Sequence, residues 1–263
     1  MAPTVLITGA SQGTGRATAL LFAQQGYDTV LTARRSDPLN QVAKEVEALG
    51  QKALVVPADV GDADQVTQLV EQAIAFADSI DVLVNNAGIC LTGPAEETTL
   101  DDWNAIINTN LWGYVHTIQA LLPQFLAQGK GAIVNVGSFG GKMPLPYMTA
   151  YCTSKYAITG LTDTLRLELR PKGIHVAIVH PGIINSSFME RAMFRGSDAD
   201  KRRSQMQDTL GSAMASQPED IAKAIWHAVL KGQTETVVGP AAIATEAYRL
   251  LPGVLQWVLQ PSK

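Results

Sequence analysis

Cysteine is nearly missing from this chain: Cys90 and Cys152 are the only two among 263 residues. Two thiols cannot build the disulfide framework of a small secreted domain, and no metal-ligand spacing surrounds either. The four histidines, His116, His175, His180 and His227, are scattered, so no metal site is expected and each reads as a packing or surface residue. Charge is scarce as well. Asp, Glu, Lys and Arg make up 17% of the sequence, against about a quarter in ordinary globular domains. The net charge of −4 removes any electrostatic case for nucleic acid as a partner. Long hydrophobic runs are absent too. The longest stretch without a charged residue, Trp103 to Gly129, is broken by Asn, Gln, His, Gly and Pro and does not read as a membrane span. The first residues lack the basic n-region of a signal peptide. A reducing, cytoplasmic setting is the expectation.

What is present is apolar residue in short runs. The hydrophobic content of 46% with so little charge suits elements buried on more than one side, as in a layered α/β protein. Seven strand-like runs can be read: Thr4 to Thr8, Asp28 to Thr32, Lys52 to Pro57, Asp81 to Val84, Gly131 to Val136, Ile174 to Val179 and Thr236 to Val238. Helical spacing lies between most of them: after Gly15, over Pro38 to Leu49, across Val66 to Ile74, from about Thr99 to Leu126, after Tyr151 and from Pro218. The alternation predicts a doubly wound Rossmann fold with a seven-stranded, mostly parallel sheet, in one domain over residues 1–263.

The first strand runs into Gly9-Ala-Ser-Gln-Gly13-Thr-Gly15, and a helical pattern follows at once. Strand, glycine turn and helix in that order is the context a dinucleotide-binding loop requires. Glycines let the backbone approach a pyrophosphate, and free N–H groups at the helix start attract its charge. At the end of the second strand Ala33 stands where NAD-binding proteins commonly place an acid, and Arg34-Arg35 follow. An arginine there suits a 2′-phosphate and favours NADP(H) over NAD(H). The paired arginines could equally cap the strand edge.

Tyr151 and Lys155 open a further helix, four residues apart and so on one face. Alone this is an ordinary surface pair. In a cleft, a lysine there favours the phenolate and lowers a pKa that starts near ~10. Ser138 ends the preceding strand thirteen residues upstream. Asn108 and Asn110 sit inside the long predicted helix, where asparagine is a poor interior residue and marks a bend or a site.

Together these pieces resemble the compact, single-domain branch of the short-chain dehydrogenase/reductase family. The motifs are Thr8-Gly9-x-x-x-Gly13-x-Gly15, Asp59-Val60, Asn85-Asn86-Ala87-Gly88, Asn110, Gly137-Ser138, Tyr151-x-x-x-Lys155 and Pro181-Gly182. The resemblance implies hydride transfer between a nicotinamide and a carbonyl or alcohol. Tyr151 would give or take the proton, Ser138 would polarise the oxygen, Lys155 would bind the ribose and lower the Tyr151 pKa, and Asn110 would hold a relay water. It also places Gly9, Ser11, Gly13, Thr14, Gly15, Arg34, Asp59, Val60, Asn86, Ile183 and Ser186 on the cofactor, with Tyr151 and Lys155. Gln12 departs from the basic residue that many NADP-specific members carry.

Residues 184–216 lose clear periodicity and carry Phe188, Met189, Met193, Phe194, Met206 and Met214. They read as a substrate-binding loop or lid, as an amphipathic helix pair, or as both. The 243–263 extension has thirteen uncharged residues from Leu250 to Ser262. It could form an apolar helix that covers a pocket, packs on a second subunit or rests on a membrane surface, in that order. The resemblance implies a homotetramer or homodimer and a lipophilic ketone or aldehyde as substrate. A 3-oxoacyl-carrier-protein reductase is the nearest alternative, although such members typically lack this extension. A non-catalytic dinucleotide sensor or scaffold is the alternative of a different class; such proteins commonly lose the Tyr or the Lys.

Overall fold

The computed structural model describes residues 2–186, 192–210 and 215–260. Phe188, Met189 and Met214 lie outside these described residues. The main sheet comprises β1 (Thr4–Thr8), β2 (Asp28–Thr32), β3 (Ala53–Val55), β4 (Val82–Asn85), β6 (Gly131–Val136), β7 (Ile174–Pro181) and β9 (Glu235–Val238). All seven strands pair in parallel, in the order β3-β2-β1-β4-β6-β7-β9. The chain winds outward from β1 in one direction and from β4 in the other. The C-terminal ends of these two neighbours therefore flank the crevice where such sheets bind ligands.

Strand alternation sends successive side chains to opposite faces. Val5, Ile7, Val84 and Val134 pack with Phe22 of α1 (Gly13–Gln24), Leu39 and Val46 of α2 (Ser36–Ala48), and Ile225 of the helix Pro218–Lys231. Leu6, Leu83, Ile133 and Val176 face the other way, onto Leu69 of α3 (Ala63–Ala77) and Leu121 and Phe125 of α5 (Gly113–Gln128). Local signals start the helices. Asp62 caps α3 by accepting from the amides of Asp64 and Gln65, and Thr99 with Asp102 forms a capping box at α4 (Leu100–Ile107).

The long helix expected from Thr99 to Leu126 is not uniform. Between α4 and α5 lies a π-helical turn, Asn108–Trp112, and its one buried member is Asn110. π-turns inside α-helices cluster at functional sites. The helix α6 (Thr149–Leu169) carries Tyr151 and Lys155. The helices α7 (Ala199–Leu210) and α8 (Pro218–Lys231) come later in the chain.

Several features differ from expectation. The edge strand β3 is only Ala53–Val55, because it has a partner on one side alone. The strand β7 runs through His180 to Pro181 instead of breaking there, since β9 pairs with it as far as Pro181. A second, two-stranded sheet joins β5 (Leu91–Thr92) in parallel to β8 (Met193–Phe194). It ties the 184–216 insertion to the segment after β4, and α7 follows it.

The C-terminal residues form α9 (Ala241–Leu250) and α10 (Pro252–Val258). Ile243, Leu250, Leu251, Val254, Trp257 and Val258 are exposed there. Among the described residues no helix is long and apolar enough to cross a membrane.

Candidate active site

A cavity of about 610 Å³ lies along the C-terminal ends of the strands. One end is bounded by Arg34, Arg35 and Asp59, the middle by the glycine turn, Asn86 and Gly88, and the other end by Leu145 to Met148 with Met206 and Leu210 of α7. Ser138, Tyr151 and Lys155 all line it.

The glycine turn is shaped by close backbone contact. Gly9 has φ +65°, and a Cβ on Gly15 would fall 2.2 Å from the Gly9 carbonyl oxygen. Asn86 fastens the turn to the end of β4: its amide donates to Thr8 Oγ1 at 2.9 Å, and its Nδ2 to the carbonyls of Thr8 and Gly9 at 3.0 and 3.2 Å. The start of α1 thus opens into the cavity, and its N-cap residue, Gln12, makes no side-chain cap hydrogen bond. An anionic group fits this arrangement. Of the residues expected to touch a cofactor, Gly9, Ser11, Gly13, Thr14, Arg34, Asp59, Val60, Asn86, Ile183 and Ser186 line the cavity. Gly15 stands behind the turn.

Tyr151 is buried in the cavity wall, beside Ser138. Burial, with the nearby Cys90 thiol, raises its phenol above the ordinary range, and the neighbouring Ser138 hydroxyl opposes that. This is the reverse of the lowering expected from the Tyr–Lys pair. The first reason is desolvation of the phenol by burial. Lys155 Nζ lies 5.9 Å from the centre of the Tyr151 ring and 5.4 Å from that of Tyr114. It donates to the Val136 carbonyl at 3.0 Å, which also accepts from the Tyr114 hydroxyl at 2.9 Å. Burial pushes the lysine itself down to about 8. The protein's own residues therefore hold Tyr151 firmly as a neutral proton donor.

Asn110 is fully buried and is not among the cavity-lining residues. Its Oδ1 accepts from the Ile89 amide at 2.8 Å, and its Nδ2 donates to the Ile89 carbonyl at 2.9 Å and to Ser154 Oγ at 3.1 Å. Its side chain straps the segment after β4 to α6. Cys90, also in the wall, has its thiol pushed up to about 12 by burial, and Cys152 packs with it against Tyr151. Both are inert as nucleophiles.

Sequence reading missed the support behind Ser138. His180, set aside as a packing residue, is fully buried, and its Nδ1 lies 2.9 Å from the Ser138 carbonyl oxygen. A Cβ on Gly137 would fall 2.6 Å from that ring nitrogen, so glycine is needed before the serine. His180 Nε2 lies 3.2 Å from Glu235, which also pairs with Lys142 at 2.6 Å. The nearby His180, then Lys142, holds the Glu235 carboxyl down at about 2. Histidine directly before Pro-Gly was the only available hint.

The insertion is anchored by residues that no motif singled out. Arg195 donates to both oxygens of the buried Asp102 carboxylate, at 3.0 and 2.6 Å. Arg202 of α7 donates to the Arg195 carbonyl at 2.7 Å and lies 5.2 Å over the Tyr147 ring. Tyr147 has φ +65°, a strained value for a bulky residue that the surrounding loop must hold in place. None of the described residues of α9 or α10 lines the cavity, so the expected pocket-covering role of the tail is not what the described residues do.

The sequence profile of the short chain dehydrogenase family matches residues 3–197. The chain belongs to the short-chain dehydrogenase/reductase family. It is 34% identical over 226 residues to a 3-oxoacyl-[acyl-carrier-protein] reductase of Staphylococcus aureus, covering 86% of this chain and 89% of the relative. Among solved structures, a family member from Burkholderia phymatum in complex with NAD superposes with a TM-score of 0.88 at 25% identity, covering 100% of this chain and 97% of that one. A metagenomic short-chain oxidoreductase in complex with NADP gives 0.74 at 30%, covering 90% and 96%. Membership makes the protein an oxidoreductase, on the fold these structures share.

Proposed function

We propose that the protein moves hydride between a nicotinamide dinucleotide, NADP(H) in preference to NAD(H), and the carbonyl or secondary alcohol of a lipophilic substrate. The observation that carries this reading is the convergence of Tyr151, Ser138 and Lys155 on one cavity whose other end is the glycine turn and Arg34. The bound dinucleotide would supply or accept the hydride; Gly9, Ser11, Gly13, Thr14 and Asn86 would hold its phosphate region at the start of α1, with Gly15 behind them. Asp59 and Val60 would border the adenine, and Ile183 and Ser186 the nicotinamide end.

In this reading Tyr151 delivers its proton to the carbonyl oxygen as negative charge builds there, and Ser138 donates a second hydrogen bond to that oxygen. Lys155, tied to Val136, reaches the ribose side and replaces the proton Tyr151 has given up. The Asn110 side chain positions Ile89 and α6, so any relay water would rest on its backbone carbonyl. The test is a panel of carbonyls and alcohols with NADPH, NADP, NADH and NAD. The expected result is NADPH oxidation with an apolar ketone, abolished in Tyr151→Phe while the dinucleotide still binds. Normal turnover by that variant overturns the assignment.

The NADP preference is supported by Ala33 in place of an acid and by exposed Arg34 and Arg35 at the cavity end. Losing one charge-assisted bond is worth roughly 10- to 100-fold. Arg34→Ser should raise the NADPH KM by about that factor and leave NADH unchanged. A 3-oxoacyl thioester substrate is the second reading, favoured by the Staphylococcus aureus relative. We propose a homo-oligomer through α4, α5 and α6, which expose Leu100, Trp112 in the intervening turn, Leu126, Tyr156 and Leu167. The apolar face of α9 and α10 offers a second contact, with another subunit or a membrane surface. Light scattering after size exclusion reads the state directly.

A further inference from the structure

Ser138 leads from β6 into a tight turn, Phe139–Gly141. Its carbonyl oxygen accepts from the Gly141 amide at 2.9 Å and stands 2.9 Å from His180 Nδ1. Its Oγ accepts from the Gly140 amide at 3.1 Å. With that amide on the oxygen, the hydroxyl keeps its own proton for a different acceptor, and Ser138 lines the cavity together with Tyr151. The turn is pressed closely onto α6: a Cβ on Gly141 would fall 2.7 Å from the Lys155 carbonyl oxygen.

His180 backs this turn from β7. Its Nδ1 also lies 3.4 Å from the Ser138 amide, so two roles compete: donor to the carbonyl or acceptor from the amide. The distances separate them. The shorter contact has the length of a good N–H···O bond and the longer one is at the weak limit. An unprotonated Nδ1 would also set its lone pair against the carbonyl oxygen. A protonated Nδ1 instead joins the Gly141 amide in filling both acceptor sites of that oxygen. Behind the ring, Nε2 lies 3.2 Å from Glu235 Oε1, and Lys142 closes on the same oxygen at 2.6 Å. The segment from Ser138 to Lys142 is therefore held at its first residue by His180 and at its last by Glu235 of β9.

We propose that His180 carries a proton on Nδ1, gives it in a hydrogen bond to the Ser138 carbonyl, and through that bond positions the Ser138 hydroxyl for the reaction. The role of Ser138 rests on the hydride-transfer reading; the place of the proton does not. His180 is fully buried and does not line the cavity, so it is a positioning residue whose effect on the reaction passes through Ser138. A donor to a developing oxyanion works by being in place beforehand, and a displacement near 1 Å costs on the order of 100-fold.

The first arm of the test needs no substrate. Protein with nitrogen-labelled histidine is read by NMR at pH ~8, above the ordinary histidine range, and the His180 signals are assigned by their loss in His180→Asn. Whatever Nε2 carries toward Glu235, Nδ1 should be protonated; an unprotonated Nδ1 overturns the proposal. The second arm is kinetic, with a substrate from the carbonyl panel. His180→Leu should lower kcat about 10- to 100-fold and leave the dinucleotide KM within about twofold. His180→Asn, whose amide can stand in for Nδ1, should recover most of that loss, and His180→Gln, whose amide reaches the Nε2 position, should not. In a Ser138→Ala background His180→Leu should cost less than about threefold, because the group it positions is gone. An equal loss with and without the Ser138 hydroxyl, an unchanged kcat in His180→Leu, or no recovery in His180→Asn each overturns the proposal. A wild type inactive with the whole panel counts against hydride transfer alone, and the nitrogen signal then decides on His180 by itself.

Discussion

Asn110→Ala tests whether this side chain acts as a strap. In the wild type it makes three hydrogen bonds, two to the backbone of Ile89 and one to Ser154. Truncation leaves the Ile89 amide and carbonyl without these partners. Ser154 remains satisfied, since its hydroxyl donates to the Tyr151 carbonyl at 2.7 Å. Each orphaned group costs about 1–3 kcal/mol, and Ile89 is only half-buried, so the expected total is about 2–4 kcal/mol. For a domain of this size that lowers Tm by roughly 4–16 °C. Asn108→Ala, two residues earlier on the same π-turn but exposed, is the control and should stay within about 0.5 kcal/mol. Calorimetric melting of the two variants beside wild type makes the comparison. Should Asn110→Ala melt within about 2 °C of wild type, Ile89 has other partners and the strap argument fails. Activity should fall as well, because Ile89 and Cys90 form the wall beside Tyr151.

Gly15→Ala places a Cβ against the Gly9 carbonyl, which as backbone cannot swing aside. The turn must shift, and dinucleotide affinity should drop on the order of 100-fold, as misplacements near 1 Å do; fluorescence titration within twofold of wild type would refute this. Glu235 has a carboxyl held down at about 2 by His180 and Lys142. Its contribution to stability is therefore fully present above the ordinary glutamate range near ~4.3 and is lost as pH falls from there toward about 2. Glu235→Gln should melt below wild type at pH 7, with the gap shrinking below pH ~4.3 and closing only as pH falls to about 2; a gap that is constant across that range contradicts the linkage. Asp102→Asn removes the charge that Arg195 grips with two bonds. Amide exchange across Met193–Leu210 should speed up while β1 is unaffected, and unchanged exchange in α7 would show that the anchor lies elsewhere.

The parts of the fold that sequence disclosed are those where one element carries its own signal. The strands Thr4–Thr8, Asp28–Thr32 and Gly131–Val136 stand where apolar and β-branched runs placed them. The helix α2 starts at Ser36, earlier than Pro38, because a proline in the first turn has no helical hydrogen bond to lose. Pairings between distant segments were hidden. A two-residue strand such as Leu91–Thr92 has no periodicity, and only its contact with Met193–Phe194 makes it a strand. The helix α7, Ala199–Leu210, was obscure because Leu210 is its only buried residue, so it lacks an apolar stripe. His180 and Glu235 meet only because β7 and β9 pair in a register that sets Ile178 beside Glu235.

The same division separates the reaction from its substrate. Tyr151, Ser138 and Lys155 stand on α6 and at the end of β6, elements fixed by the central sheet and its two faces of core. Their separation follows from the packing of α6 on that sheet, so a motif in sequence translates into a fixed geometry. The end of the cavity beyond Tyr151 is built otherwise. Its wall combines the loop of Leu145 to Met148 with α7, and α7 is held by Arg195 on Asp102 and Arg202 over Tyr147. The anchors themselves, Arg195 on Asp102 and Arg202 on Tyr147, lie outside the central sheet, so a change there can reshape this end of the cavity while the sheet stays as it is. In the proposed reading, specificity therefore rests on the anchors of α7 and chemistry on the sheet and α6.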